Sequence, residues 1–254
     1  MKLMKDFGHR PWQLPSKHWI MRQTWSNLFF THWPIAPEIL RPYIPQSLQI
    51  DTFNRYAWVG IILFVMEGIY PRGLNYKSIL PSFPEINVRT YVQCDDKPGI
   101  YFLSIDVGDW ASYTIAKRWF RLPYFSSHVS FQKEDQTFQF GSKRKGNSNS
   151  PITFNGKYIP LPKIFYPKKG TLDHWLTERY CLYSKDQRGN LYCGEIHHRP
   201  WPLQYAESEI HMNTLLSPFN IDLNEVKPIS HYSKGVDSLI WNIKKVPSNT
   251  FVIT

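Results

Sequence analysis

Apolar residues run unbroken from Ala57 to Met66, AWVGIILFVM, a stretch too short for a long helix and rich in β-branched side chains, which predicts a buried strand. The segment EINVRTYVQC then alternates, with Ile86, Val88, Thr90 and Val92 on one face and Glu85, Asn87, Arg89 and Tyr91 on the other. GIYFLSIDV reads as the next strand, and the turn residues of CDDKPG between them predict a hairpin. HVSFQ and TFQFGSK are expected to pair across KEDQ, and NLYCGEIHH, PLQYAESEI and VDSLIWNIKKV also read as strands. KGNSNSPITFNGK reads as loop.

Helical spacing is confined to short segments. Pro34, Pro37, Pro42 and Pro45 frame one, with Pro37 in the first turn and Ile39, Leu40 and Tyr43 facing inward. Asp109 caps a second that runs through Phe120 and ends at Arg121-Leu122-Pro123. Thr171 caps a third, TLDHWLTERYCLY, which turns Leu172, Trp175, Leu176, Tyr180 and Tyr183 inward and places Asp173 in the first turn. The fold class that follows is α+β and mostly β, a sheet or barrel with a few helices. The prolines are spread along the chain and no repeat appears, so residues 1–254 read as a single domain.

Composition narrows the function classes. With 254 residues and 16% aromatics the chain can bury a full core, which excludes disorder. The longest apolar run is about half of a bilayer span and stops at Glu67, so no membrane span is expected. The N-terminus carries Asp6, His9 and Arg10 where a signal peptide needs apolar residues, and a cytoplasmic location is expected. Cys94, Cys181 and Cys193 have no paired spacing and read as reduced thiols. The net charge of +10 raises nucleic acid as a partner. Its clusters, Lys143-Arg144-Lys145, Lys168-Lys169 and Lys244-Lys245, lie far apart and read as solvated loop charges, which disfavours that partner.

No phosphate loop, dinucleotide fingerprint, His-Glu-x-x-His or Gly-x-Ser-x-Gly elbow is present. The chemistry is left to constellations. Glu85, Asn87 and Arg89 share a strand face, standing roughly 6.5–7 Å apart. Lining a cavity, Arg89 binds a carboxylate and Glu85 acts as acid or base; facing water, the row is an ordinary strand surface. His32 and the adjacent His197 and His198 supply imidazoles, but neighbours on a strand diverge, so no metal and no cofactor is expected. Arg179 either reaches outward or enters the core as a paired charge.

Seven blocks in order, NLFFTHWPIAPEILRPYIPQSLQIDTF, AWVGIILF, FPEINVRTYV, KPGIYFLSIDV, AKRWFRLPYF, TLDHWLTERYCLY and EIHHRPWPLQ, resemble the YqjF-like family, a bacterial group under a domain-of-unknown-function heading, over about residues 25–206. The resemblance implies an acetoacetate-decarboxylase-like fold, a cone-shaped mixed β-barrel around a cavity with a few peripheral helices. In such decarboxylases a strand glutamate faces a catalytic lysine that follows a proline and precedes a second lysine. Glu85 matches the glutamate and Pro123 the proline, but Tyr124 and Phe125 occupy the lysine positions. Lys117 and Arg118 are the nearest alternatives and lie on a different predicted element. Asn54-Arg55 stands where a glycine-bearing turn is usual, and Asn tolerates the left-handed conformation that turn needs.

The resulting functional reading is a barrel cavity that binds a small organic molecule, anionic or aromatic, without Schiff-base chemistry. Arg89 is its anion contact, with Asn87, His32 and Tyr101 nearby. The alternative is an enzyme of decarboxylase or hydratase type that uses Glu85 and Tyr124 for non-covalent proton transfer. A third reading is a basic surface that binds nucleic acid or anionic membrane. The oligomeric state is not legible.

Overall fold

The computed structural model describes residues 2–74, 78–108, 121–146, 150–223 and 226–247. Among them, strands dominate. In chain order they are β1 (Met21–Ile35), β2 (Gln49–Ile50), β3 (Ala57–Pro71), β4 (Phe83–Cys94), β5 (Lys97–Val107), β6 (Tyr124–Glu134), β7 (Thr137–Arg144), β8 (Thr153–Pro160), β9 (Cys181–Lys185), β10 (Leu191–His198), β11 (Leu203–Asn213), β12 (Ile229–Ile240) and β13 (Lys244–Lys245). Two short α-helices accompany them, α1 (Pro37–Leu40) and α2 (Leu172–Thr177). No helix among the described residues is long and apolar enough to cross a membrane.

β12, β1, β3, β4 and β5 form a continuous antiparallel wall. Two further sets of strands close onto its edges. β9 pairs parallel to β5, β10 pairs β9, and β10 meets β12, which closes a ring of seven strands. On the other side β6, β7, β8 and β11 connect the same β5 and β12.

The wall is therefore buried on both faces. Ile86, Val88 and Val92 pack with Phe138, Phe140 and Phe154 of β7 and β8. The opposite face, with Tyr91, Ile62 and Ile105, packs with Leu182 of β9, Ile196 of β10 and Leu176 of α2. Double burial explains the unbroken apolar run of β3, since a strand with no solvent face has no place for alternation.

One irregularity sets which β5 residues face which core. Val88 pairs with Ser104 but Arg89 pairs with Phe102, so Leu103 is an extra residue, a β-bulge. Phe102 and Ile105 consequently face the same side, although three positions separate them.

Several expectations are corrected. The last part of the segment read as loop begins β8, because Phe154 and, beyond the segment, Tyr158 alternate into the core and Gly156 fits closely under the Phe154 ring. The helix capped by Thr171 stops at Thr177, and Cys181 to Lys185 is a strand. The carbonyls of its last turn are taken by side chains: Arg179 Nε donates to Trp175 O at 2.7 Å and Trp201 Nε1 to Thr177 O at 3.0 Å. That ends the helix without leaving the buried acceptors open. Ile39 is exposed, since α1 has only four residues and turns Leu40 inward instead. Arg144 is no solvated charge; it is paired with buried Asp106 at 2.8 Å. Asn54 and Arg55 both adopt positive φ in the turn before β3. The helix expected from Asp109 to Phe120, with Lys117 and Arg118, lies outside the described residues.

Candidate functional site

The seven-strand ring encloses a cavity of about 130 Å³. β4 presents Phe83, Glu85, Asn87, Arg89 and Tyr91 successively to the inside of the ring; the first four line the cavity, and Glu85, Asn87 and Arg89 are 5%, 4% and 9% exposed. Register places them in levels. Phe83 stands beside Met66, Glu85 beside Phe64, Asn87 beside Ile62 and Arg89 beside Gly60. On the other side of β4, Asn87 faces Ile105, whose neighbour on β6 is Tyr124. Glu85 thereby comes within hydrogen-bonding reach of both Asn87 and Tyr124.

At the Arg89 end the ring is closed by α2 and an aromatic layer. Tyr91 Oη donates to Leu176 O at 2.8 Å and meets His32 Nε2 at 2.6 Å. The tyrosine proton is spent on the carbonyl, so His32 donates from Nε2, and its Nδ1 has no partner. At the opposite end Met66, Ile69, Ile79, Leu80 and Phe83 form an apolar rim, and Ile79 is exposed.

The electrostatics of the floor are asymmetric. Arg179 Nη1 donates to Asp51 Oδ2 at 2.6 Å, and its guanidinium lies 4.3 Å from the Trp175 ring centroid. Arg89 has no carboxylate partner among the described residues; it donates weakly to Leu176 O at 3.3 Å and Tyr91 Oη at 3.4 Å. Of the cavity's lining side chains, the buried atoms without a partner are Arg89 Nε, Arg179 Nη2 and Asn87 Oδ1.

Burial pushes the Glu85 carboxyl up to about 8, outweighing the hydrogen bonds of Asn87 and Tyr124, so it is protonated at neutral pH. A neutral carboxyl donates one hydrogen bond, and Asn87 Oδ1 is an acceptor beside it once the amide is turned. Burial, then the neighbouring Glu85, raises the Tyr124 phenol well above its ordinary value. Burial, Arg89 and His231 hold His32 well below the ordinary imidazole range, and burial brings His198 down to about 4. With Arg179 matched by Asp51, the cavity retains one net positive charge, on Arg89.

The expected site residues separate cleanly. Glu85, Asn87, Arg89 and Tyr124 line the cavity together. His32 stands one layer behind Arg89, reached through Tyr91. Tyr101 is not near them: the β5 pleat turns it to the other core, with Leu103. Phe125 points outward and stacks on Arg144 at 4.0 Å. Arg179 enters the core as a paired charge and lines the cavity with His198, two contributions that the sequence alone left undecided. His197 diverges from His198 and bonds Leu3 O at 2.9 Å. No cluster of three or more His, Cys, Asp or Glu suited to a metal forms among the described residues.

This arrangement sits in a chain whose residues 22–237 match DUF2071, a family described as an uncharacterized conserved protein. The chain belongs to the DUF2071 family. Within reach of it is the uncharacterized protein YqjF of Bacillus subtilis (strain 168), to which this DUF2071 chain is 40% identical over 246 residues, covering 96% of this chain and 99% of YqjF. Among solved structures it is similar to acetoacetate decarboxylase from Legionella pneumophila, with a TM-score of 0.62 and 13% identity over 96% of this chain and 94% of that one. It is also similar to the enduracididine biosynthesis enzyme MppR complexed with pyruvate, with a TM-score of 0.61 and 8% identity over 94% and 93% of the two chains. The DUF2071 chain thus has the acetoacetate-decarboxylase-like fold.

Proposed function

We propose that the cavity binds a small organic monoanion, a carboxylate, with Arg89 as its anion contact and no covalent bond to the protein. The observation that carries this reading is the buried Arg89 guanidinium, which faces the cavity without a carboxylate partner among the described residues and with its Nε unpaired. A buried charge left uncompensated costs several kcal/mol, on the order of what one bound carboxylate returns. Arg179 Nη2 supplies a second donor at the same end, so the two guanidinium groups can share one carboxylate. The volume suits a ligand of few atoms, since at about 130 Å³ it falls a little short of the roughly 150 Å³ cavity that holds a benzene ring. MppR, of like fold, is described in complex with pyruvate, which fits the same ligand class. Native mass spectrometry of the protein as purified, followed by calorimetric titration with pyruvate and other small carboxylates, tests the reading. Arg89→Met should weaken binding about 10–100-fold; an unchanged affinity would reject Arg89 as the contact.

A second reading is favoured by a separate observation, the Glu85 carboxyl near 8 beside Tyr124. An acid that titrates near neutrality suits proton transfer to or from a bound molecule, giving non-covalent acid/base catalysis with Glu85 and Tyr124 as the pair. Exchange of the α-hydrogens of a bound keto acid for deuterium, followed by NMR and abolished by Glu85→Gln, would support it. A third reading, a basic surface for nucleic acid or anionic membrane, draws no support from an enclosed site of this kind.

A further inference from the structure

The unpartnered atoms that line the cavity are of two kinds and stand at two levels. Arg89 Nε and Arg179 Nη2 are donors at the closed end beneath α2. Asn87 Oδ1 is an acceptor one level nearer the rim, since Asn87 pairs with Ile62 where Arg89 pairs with Gly60. Residues two apart on a strand share a face at roughly 6.5–7 Å. Other polar side chains of the wall are engaged. Trp201 Nε1 donates to Thr177 O, Thr177 Oγ1 to Asp173 O at 2.7 Å, and Trp25 Nε1 to Gln23 at 2.9 Å. His198 is held by the backbone of Arg199 and Arg179.

Asn87 is buried and cannot complete its own bonding. Its amide nitrogen serves the Glu85 carboxyl, which leaves Oδ1 open to the cavity. Turned over, Oδ1 takes the proton of the neutral carboxyl, and the nitrogen then faces the cavity with its hydrogens unused. One end of the amide is unmet in either orientation. A hydroxyl meets it in both, because it donates to a carbonyl and accepts from an amide N–H. A methyl group meets neither.

We infer that the cavity selects short hydroxy monocarboxylates, held by Arg89 at the carboxylate and by Asn87 at a hydroxyl on the second or third carbon, over acids with a methyl group in place of that hydroxyl. This rests on the carboxylate reading above and specifies the group carried beside the carboxylate. The spacing sets the class. One hydrogen bond at each end takes up roughly 3 Å of the interval between the two levels, which leaves room for one or two carbons between carboxylate and hydroxyl. The small cavity volume favours the same short acids. A methyl group set against Asn87 strips its amide of water and returns no hydrogen bond, which lowers affinity by about tenfold or more.

The test uses two matched pairs, each titrated into the full chain by calorimetry. Lactate and 2-methylpropanoate exchange hydroxyl for methyl at the second carbon, and 3-hydroxypropanoate and butanoate do so at the third. The hydroxy acid should bind at least about tenfold tighter than its methyl counterpart at one position or both. Asn87→Leu, of similar size and without the amide, should bring that ratio close to one by weakening the hydroxy acid. Ratios of one or below at both positions, with binding lost in Arg89→Met, would overturn the inference and leave the carboxylate reading intact. A hydroxyl preference undiminished in Asn87→Leu would overturn it as well. Binding of none of the four acids, or binding indifferent to Arg89→Met, would overturn the carboxylate reading and the inference with it. The wild-type ratios decide the point even where a variant fails to fold.

Discussion

Arg179 and Asp51 meet at 2.6 Å across the closed end of the cavity, one from the segment after α2 and the other from just past β2. The pair neutralises one of two guanidinium groups that flank the Tyr91 ring, at 4.9 Å for Arg179 and 5.7 Å for Arg89. Asp51→Asn should therefore have two opposite effects. Stability falls by about 2–3 kcal/mol because a buried charge loses its partner, lowering Tm by roughly 5–10 °C. Anion affinity rises, because the floor then carries two unmatched cations. Thermal unfolding with and without a small carboxylate reads both, and a variant that weakens anion binding would refute the charge count.

Glu85 makes stability depend on pH in a defined direction. Its carboxyl titrates near 8 when folded and at the ordinary 4.5 when exposed. The folded chain thus keeps a proton that the unfolded chain releases. The contribution is complete below 4.5, declines as pH rises, and is gone above about 8. Glu85→Gln, which stays neutral throughout, should match the wild type near pH 4.5 and exceed it at pH 8 by on the order of 4 kcal/mol. Parallel Tm profiles for the two proteins across this range would contradict the assignment. Carboxylate affinity should also drop above pH 8, where ionised Glu85 repels an anion.

Gly60 sits opposite Arg89 on β3, and a Cβ there would lie 2.8 Å from His32 Cδ2 and 3.0 Å from Nε2. Gly60→Ala should displace the imidazole from Tyr91 and loosen the layer beneath Arg89. A destabilisation of about 1–3 kcal/mol is expected, together with a weaker response of Tm to added carboxylate. A Gly60→Ala protein with wild-type Tm and binding would show that the His32 contact is dispensable.

Incubation with acetoacetate and borohydride should leave no lysine adduct, because none of the described lining residues is a lysine and Tyr124 cannot form an imine. Peptide mapping by mass spectrometry checks this. A stoichiometric adduct on Lys117, or on any single lysine, would make covalent chemistry the better account.

The strand alternation of β4 and the hairpin with β5 were legible because period-2 patterning encodes a strand whose two faces differ in polarity. β1 was harder to read. Asn27 takes positive φ at 48° and the pairing with β3 shifts between Ser26 and Phe29, so the pattern loses its phase within the strand. Tyr101 was misplaced for a related reason: adjacency to Phe102 on β5 says nothing of the face, which the pleat assigns to the other core. Arg179 could be read only as buried or exposed, since its partner Asp51 lies 128 positions away and no local spacing connects them. The closure of the ring through β9 depends on pairing with β5 at long range, which periodicity does not express.

The wall from β12 to β5 touches hydrophobic neighbours on both faces, so it behaves as a rigid partition shared by two interiors. A side chain enlarged at Ile86 presses on β7 and β8, and the resulting shift in the strand reaches Glu85 and Asn87 on the reverse. A new ligand preference gained on this frame is least disruptive through the parts that keep an outward side. Those are α2, where Asp173 and His174 are half-buried, and β10, where Tyr192 and Cys193 are half-buried. Diversification among chains of this architecture should accordingly concentrate at Thr177, Ile196 and His198, with Ile62 and Phe64 acting as the fixed gauge against which ligand size is measured.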